Sequence, residues 1–283
     1  MPDTAQDQME KIIETAGALP PMPQVIARAG KVLSNERAGF KEIAKVLETD
    51  QAMAARVLRL ANSAYYGVKV PVVSVQQASA LLGFKTLFTM IVVVNSSKMM
   101  GKQLEGYCIE ARDNWKHSLF TAIGAKSIAE EKFPELIDEA FMAGLLHDAG
   151  MLILDPYVKK EKKRIESHLK HGRSIEQAES AIFGFNHAQL AAEYLKKWML
   201  PASQTHAIEF HHYPSRSEGD ILSCILHAAD AMANLQGVEK NFYTEKNILA
   251  EAGIDEIIME SRGAVIEEEV NELIETLEAC EAQ

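Results

Sequence analysis

The chain has 283 residues, 47% of them hydrophobic and 24% charged, with a formal net charge of -11. That balance fits a globular protein with a substantial core and excludes disordered, collagen-like and disulfide-scaffold classes. The charge is unevenly placed: residues 1–235 carry 26 basic and 27 acidic side chains, whereas residues 236–283 carry 3 and 13.

The first residues, Met1 to Gln8, lack the basic flank and apolar run of a signal peptide. The stiff segment Leu19-Pro20-Pro21-Met22-Pro23 is followed by helical stripes at Val25, Ile26, Ala29, Val32 and Leu33, then Phe40, Ile43, Val46 and Leu47. Asp50 is placed to cap a third helix carrying Met53, Val57, Leu58 and Ala61. Asn62-Ser63, Gly67 and Pro71 break the pattern, Ser74-x-x-Gln77 reads as a capping box, and Gly83 ends the helix it opens. Residues 84–97 are apolar on nearly all sides. They are too short to span a membrane, and a lone strand at Ile91–Val94 has nothing obvious to pair with, so the segment reads as a buried helix.

Farther along, Asp138 can cap a helix through Phe141, Leu145 and Leu146. Ser174-x-x-Gln177 and Asn186-x-x-Gln189 match capping boxes, and Asp220 can cap a helix carrying Ile221, Leu222, Ile225, Leu226 and Ala229. After Asn186, residues His187, Leu190, Ala191, Tyr194, Leu195 and Trp198 share one face. The expected fold is all-α: helical subdomains at about 10–104 and 105–235, then an acidic helical extension, 236–283. In that extension Val265, Val270, Leu273, Ile274 and Leu277 punctuate the glutamates, as in an amphipathic helix docked on the body or on another protein. Cys108, Cys224 and Cys280 are widely spaced and form no Cys-x2-Cys pair, which points to a cytoplasmic protein without disulfides.

Seven residues are candidates for chemistry: His117, His147, Asp148, His187, His211, His212 and Asp230. His147-Asp148 stands at the end of an apolar stretch, His187 in the first turn of a helix, and Asp230 inside an apolar helix. A carboxylate so placed requires a hydrogen-bonded partner or a metal. Imidazole with carboxylate suits iron, zinc, manganese or nickel. Six or more ligands exceed one structural zinc, so two metals bridged by a carboxylate are the economical arrangement, able to generate a hydroxide and clamp phosphoryl oxygens. A histidine on an apolar face is otherwise a satisfied core residue, the reading given to His168, His171, His206 and His227. Asp113, four residues before His117, reads as a solvated helix charge.

The order His117, His147-Asp148, His187, His211-His212, Asp230 resembles the metal-binding order of the HD superfamily of phosphohydrolases, including its cyclic-dinucleotide phosphodiesterases. Leu19–Pro23, Leu60-Ala61-Asn62-Ser63-Ala64-Tyr65-Tyr66-Gly67, Ala80–Gly83, Leu146–Gly150, Phe185-Asn186-His187 and His211–Pro214 resemble the HDOD domain of bacterial signalling proteins, over roughly residues 12–235. The resemblance implies an HD-like core with His117, His147, Asp148 and Asp230 on one metal. Asp148 would bridge to a second metal on His187 and one or both of His211 and His212. Asp148, His187, His211 and His212 are then the catalytic candidates. Most HDOD domains resemble regulatory modules that have lost such ligands, whereas here every position is filled. Phosphodiesterase relatives carry a lysine where this chain has Met151, and a Gly-Tyr-Pro motif that it lacks; Arg216 or Lys159 would have to supply the missing charge.

Three functions are therefore weighed: a cytoplasmic signalling or regulatory module with a retained di-metal site and a protein partner, a metal-dependent phosphohydrolase acting on a nucleotide or cyclic dinucleotide, and a metal-free helical adaptor. The basic run Lys159–Arg164 reads as a solvated face that could guide a phosphate-containing small molecule; neither nucleic acid nor a membrane is an expected partner.

Overall fold

In the computed structural model, residues 4–15, 47, 50–198, 200–234, 243–254 and 256–281 are described. Every regular element among them is helical, apart from one isolated antiparallel bridge, Leu104 to Ile109. The predicted segment Leu19–Pro23 and the stripes at Val25–Leu33 and Phe40–Val46 lie outside the described residues. None of the described helices is long and apolar enough to cross a membrane. The chain divides into two compact units, one of Met1–Leu19 with Met100–Glu267, the other of Pro20–Met99 with Glu268–Gln283.

In the second unit, α2 (Gln51–Ala61) starts where Asp50 accepts a hydrogen bond from the Met53 N–H at 3.0 Å. Asn62 then acts as a surrogate peptide group. Its Oδ1 accepts from the Val72 N–H at 2.7 Å and its Nδ2 donates to the Val72 carbonyl at 2.8 Å, closing the loop that holds Tyr65, Tyr66 and Gly67. Ser74 caps α3 (Val75–Leu82), but the Gln77 side chain reaches back to the Val73 N–H, one residue earlier than a strict capping box requires. Gly83 ends that helix. The β-branched run in α4 (Phe84–Met100) is helical as expected: Ile91 to Val94 are buried, and the helix satisfies backbone groups that a solitary strand would leave unpaired.

The unit containing Met100–Glu267 packs α5 (Ala111–Lys132) against α6 (Ile137–Leu146) and α12 (Ile221–Asn234). It packs α10 (His187–Lys196) against α7 (Ala149–Lys160) and α11 (Ala202–Phe210). Helices α8 (Lys162–Lys170) and α9 (Ile175–Phe183) form a neighbouring pair; α1 (Ala5–Thr15), α13 (Lys246–Glu251) and the start of α14 (Glu256–Glu281) complete it. Two helix pairs touch backbone to backbone. A Cβ on Gly144 would stand 2.8 Å from the Thr121 carbonyl oxygen, and one on Gly150 only 1.9 Å from that of His187.

Two expectations need correction. Asp138 does not cap α6: the 3-10 turn Pro134–Leu136 runs straight into the helix, which starts at Ile137 and leaves Asp138 inside the first turn. In α14 the buried apolar positions are Ile266, Val270, Leu273, Ile274 and Leu277, while Val265 is 56% exposed. Steps of four, three and one residues keep Ile266 on the stripe; Val265, five before Val270, falls off it.

Candidate metal centre

The seven predicted residues come from five places in one unit. His117 projects from the second turn of α5, His147 and Asp148 form the corner between α6 and α7, and His187 begins α10. His211 and His212 follow α11, and Asp230 lies inside α12. All seven are buried. Their placement has local causes. The reciprocal box Asn186–Gln189 fixes the start of α10, and with it His187. The Asp220 carboxylate accepts from the Ser223 N–H at 2.8 Å and starts α12 ten residues before Asp230.

The two oxygens of Asp148 face different histidines. Oδ2 lies 3.1 Å from His147 Nε2 and 3.4 Å from His117 Nε2; Oδ1 lies 3.4 Å from His187 Nε2 and 3.8 Å from His211 Nε2. Asp230 Oδ1 joins the first set, 3.1 Å from His117 Nε2 and 3.5 Å from His147 Nε2. His212 Nε2 joins the second, 2.8 Å from His187 Nε2. Within Asp148-His187-His211-His212, and likewise within His117-His147-Asp148 and His147-His211-Asp230, ligand-type atoms lie within 4.8 Å of one another.

Hydrogen bonds behind the rings orient them. His147 Nδ1 donates to the Gly144 carbonyl at 2.8 Å and His211 Nδ1 to the Ile208 carbonyl at 2.7 Å, since a carbonyl can only accept. In its neutral ring His211 Nε2 then turns a lone pair toward the carboxylates, whereas Asp148 and Asp230 draw His147 toward its charged form, so a metal there would have to displace the proton on its Nε2. Asp148 Oδ1, Asp230 Oδ2 and His211 Nε2 are buried without a hydrogen-bond partner. Convergent, unpartnered imidazole and carboxylate acceptors are a donor set that can coordinate metal ions.

The same crowding divides the histidines electrostatically. Burial opposes charging His117, yet Asp148 and Asp230 beside it carry its pKa up to about 9. Burial and the neighbouring charge of His147 push His211 down to about 3. Both aspartates stay well below the usual carboxylate range: burial works against them and the adjoining histidines prevail.

Glu179 is a participant that the sequence reading did not single out. Fully buried, it accepts from both the N–H and the ring Nδ1 of His187, while its other oxygen accepts from the Tyr107 hydroxyl at 2.6 Å. The available signal was an acidic residue on the apolar stripe of Ile175, Ala178 and Ile182. His227 is the satisfied core histidine expected, and Asp113 is exposed. Met151, at the place of the relatives' lysine, is buried. Of the two proposed substitutes, Lys159 is ion-paired with Glu105 and Arg216 lies over the Tyr213 ring, 4.6 Å from its centroid.

The HDOD domain model matches residues 19–214. An uncharacterised protein of Treponema pallidum is 22% identical over 196 residues, which are 69% of this chain and 37% of that protein, so the chain spans little more than a third of that relative's length. A crystal structure of an HDOD domain protein of unknown function from Geobacter sulfurreducens superposes with a TM-score of 0.73 at 25% identity, over 94% of this chain and 97% of that one. A Shewanella amazonensis structure, its name assigning it provisionally to the phosphohydrolases, gives 0.73 at 24% identity over 95% and 98%.

Proposed function

The chain belongs to the HDOD domain family, and from that premise we propose that it is a cytoplasmic bacterial signalling or regulatory module that keeps a working HD-type site for two divalent transition metals, iron, manganese, nickel or zinc. His117, His147, Asp230 and one oxygen of Asp148 would hold one ion. The other oxygen of Asp148, with His187, His212 and His211, would hold the second. The observation that carries this reading is the division of Asp148, whose two oxygens face separate sets of histidines.

When bound, such a pair supplies Lewis acidity for orienting and stabilising a phosphoryl group. The chain's own residues do the rest of the work. Gly144 and Ile208 carbonyls and the Glu179 carboxylate fix the ring orientations, and burial keeps bulk water from the ligand atoms. The regulatory output passes through the helical surface to a protein partner.

A second reading is a phosphohydrolase or phosphodiesterase acting on a nucleotide or cyclic dinucleotide, supported by the complete set of ligand-type side chains. Buried Met151 and the missing Gly-Tyr-Pro motif favour the regulatory reading. Elemental analysis of the full chain, purified without chelator, tests the proposal. About two metals per chain are expected, lost in Asp148→Ala. Absence of metal even after reconstitution sinks both metal-dependent readings and leaves the metal-free adaptor. Turnover of cyclic dinucleotides, nucleotides or phosphomonoesters by wild type, abolished in Asp148→Ala, establishes the enzyme.

A further inference from the structure

The junction between α9 and α10 carries polar groups that the His/Asp cluster does not use. A cleft of about 510 Å³ is lined there by Arg173 and Arg216, by Asn186 and Gln189 at the start of α10, and by Phe210 and Tyr213. That volume falls within the range of small-molecule sites. Glu209 is the one carboxylate in the lining, and the buried Glu176 lies behind that lining on the Tyr213 hydroxyl.

The capping box decides what the two amides can offer a ligand. Asn186 Oδ1 accepts the Gln189 N–H at 2.9 Å, and Gln189 Oε1 accepts the Asn186 N–H at 3.1 Å. Both amide oxygens are thereby committed to the backbone, which fixes the orientation of each amide. What each has left is its NH2 group, a pure donor. Arg216 is restrained over the Tyr213 ring, and that ring is anchored in turn by the hydrogen bond from its hydroxyl to Glu176 Oε1 at 2.8 Å. The lining is thus rich in donors, with partly pre-organised charge.

We infer that this cleft binds a phosphate-bearing small molecule, held by Arg173, Arg216 and the amide N–H groups of Asn186 and Gln189. Phosphate oxygens accept hydrogen bonds, carry negative charge and match guanidinium geometry, so they complement such a lining where a neutral or cationic group does not. The space exceeds one phosphate and accommodates an organic portion of mononucleotide size next to Phe210. Asn186, Phe210 and Tyr213 are chain neighbours of His187, His211 and His212, so the cleft borders the segments that carry three of the seven cluster residues. Binding here requires no metal and stands or falls apart from the proposed metal pair.

Calorimetric titration of the full chain with inorganic phosphate, AMP and adenosine tests this, using wild type, chelator-treated wild type and Asp148→Ala. Saturable binding of phosphate and AMP is expected in all three, with Kd at or below about 1 mM, tighter for AMP and absent for adenosine. The double variant Arg173→Gln/Arg216→Gln should lose at least about tenfold in affinity for both anions. Both arginines are exposed, so folding is retained and circular dichroism checks it. Equal affinity for phosphate and AMP keeps the site and confines recognition to the phosphate group. No saturable binding, adenosine binding as well as AMP, or an affinity unchanged in the double variant overturns the inference. So does anion binding that vanishes on chelation and in Asp148→Ala, because the cluster would then be the site.

Discussion

Glu179 Oε2 accepts two hydrogen bonds from His187, one from its backbone N–H at 2.8 Å and one from ring Nδ1 at 2.7 Å. The carboxylate thereby fixes both the first turn of α10 and the tautomer that leaves His187 Nε2 facing Asp148. Removing it strands two buried donors and frees the ring to reorient. Glu179→Ala is expected to weaken the ion on the His187 side by about 10- to 100-fold and to leave the ion held by His117 and His147. Glu179→Gln, which keeps an acceptor, should lose less. Metal content measured across a chelator series reads both effects.

Asp148 and Asp230 should differ in how many ions they control. Asp148 faces both sets of histidines, whereas Asp230 Oδ1 approaches His117 and His147 closely and Oδ2 is 3.9 Å from His211. Asp148→Ala should abolish both ions; Asp230→Ala should retain about one per chain. Equal loss in the two variants counts against a bridging role for Asp148.

Gly150 sets the distance between α7 and α10. A methyl group there would meet the His187 carbonyl oxygen at 1.9 Å, and neither side of that contact is a flexible side chain. Gly150→Ala must push the two helices apart. Overpacking of this kind costs about 1–3 kcal/mol or more, and here it also displaces His187. Urea unfolding should show the lost stability, and elemental analysis the lost metal.

Much of this was legible in the sequence because it rests on local rules. The Asp50 and Asp220 caps and the helical reading of residues 84–97 follow from periodicity and capping, whereas the grouping of the seven His and Asp residues into one site came from the resemblance to the HD superfamily, since spacing does not make distant residues converge. The start of α6 was missed because a 3-10 turn, not a side chain, leads into it. Glu179 was missed because its importance lies in a partner eight residues away in another helix, and Tyr107, 72 residues away, completes the arrangement. Spacing alone does not reveal such partners. The apolar positions of α14 were read correctly except at Val265, where pattern matching admitted a residue one position off the stripe.

His227 predicts a pH dependence. Its Nδ1 donates to the His211 carbonyl at 2.6 Å and its Nε2 accepts from the Glu245 N–H at 2.9 Å, an arrangement only the neutral ring can make. Burial holds its pKa below the ordinary 6.5. Because the folded value is depressed, this contribution to stability is fully present above pH 6.5 and is lost as pH falls through the folded pKa. Between about pH 7.5 and about pH 5.5 the wild type should lose more stability than His227→Gln, which has no ring to protonate. Urea unfolding of both proteins at the two pH values gives the comparison.

Met151 offers a separate test of the enzymatic reading. If its side chain opened onto a substrate, restoring the lysine of phosphodiesterase relatives would supply a phosphate-binding charge. Instead Met151 is 2% exposed and belongs to the buried face of α7. An ammonium group placed there loses its hydration, and the effective cost for a buried ion is several kcal/mol. Met151→Lys is therefore expected to lower the urea midpoint strongly and to create no phosphodiesterase activity. A stable Met151→Lys protein that gains turnover would reverse the ranking of the two metal-dependent readings, because a single missing charge would then separate this chain from an enzyme.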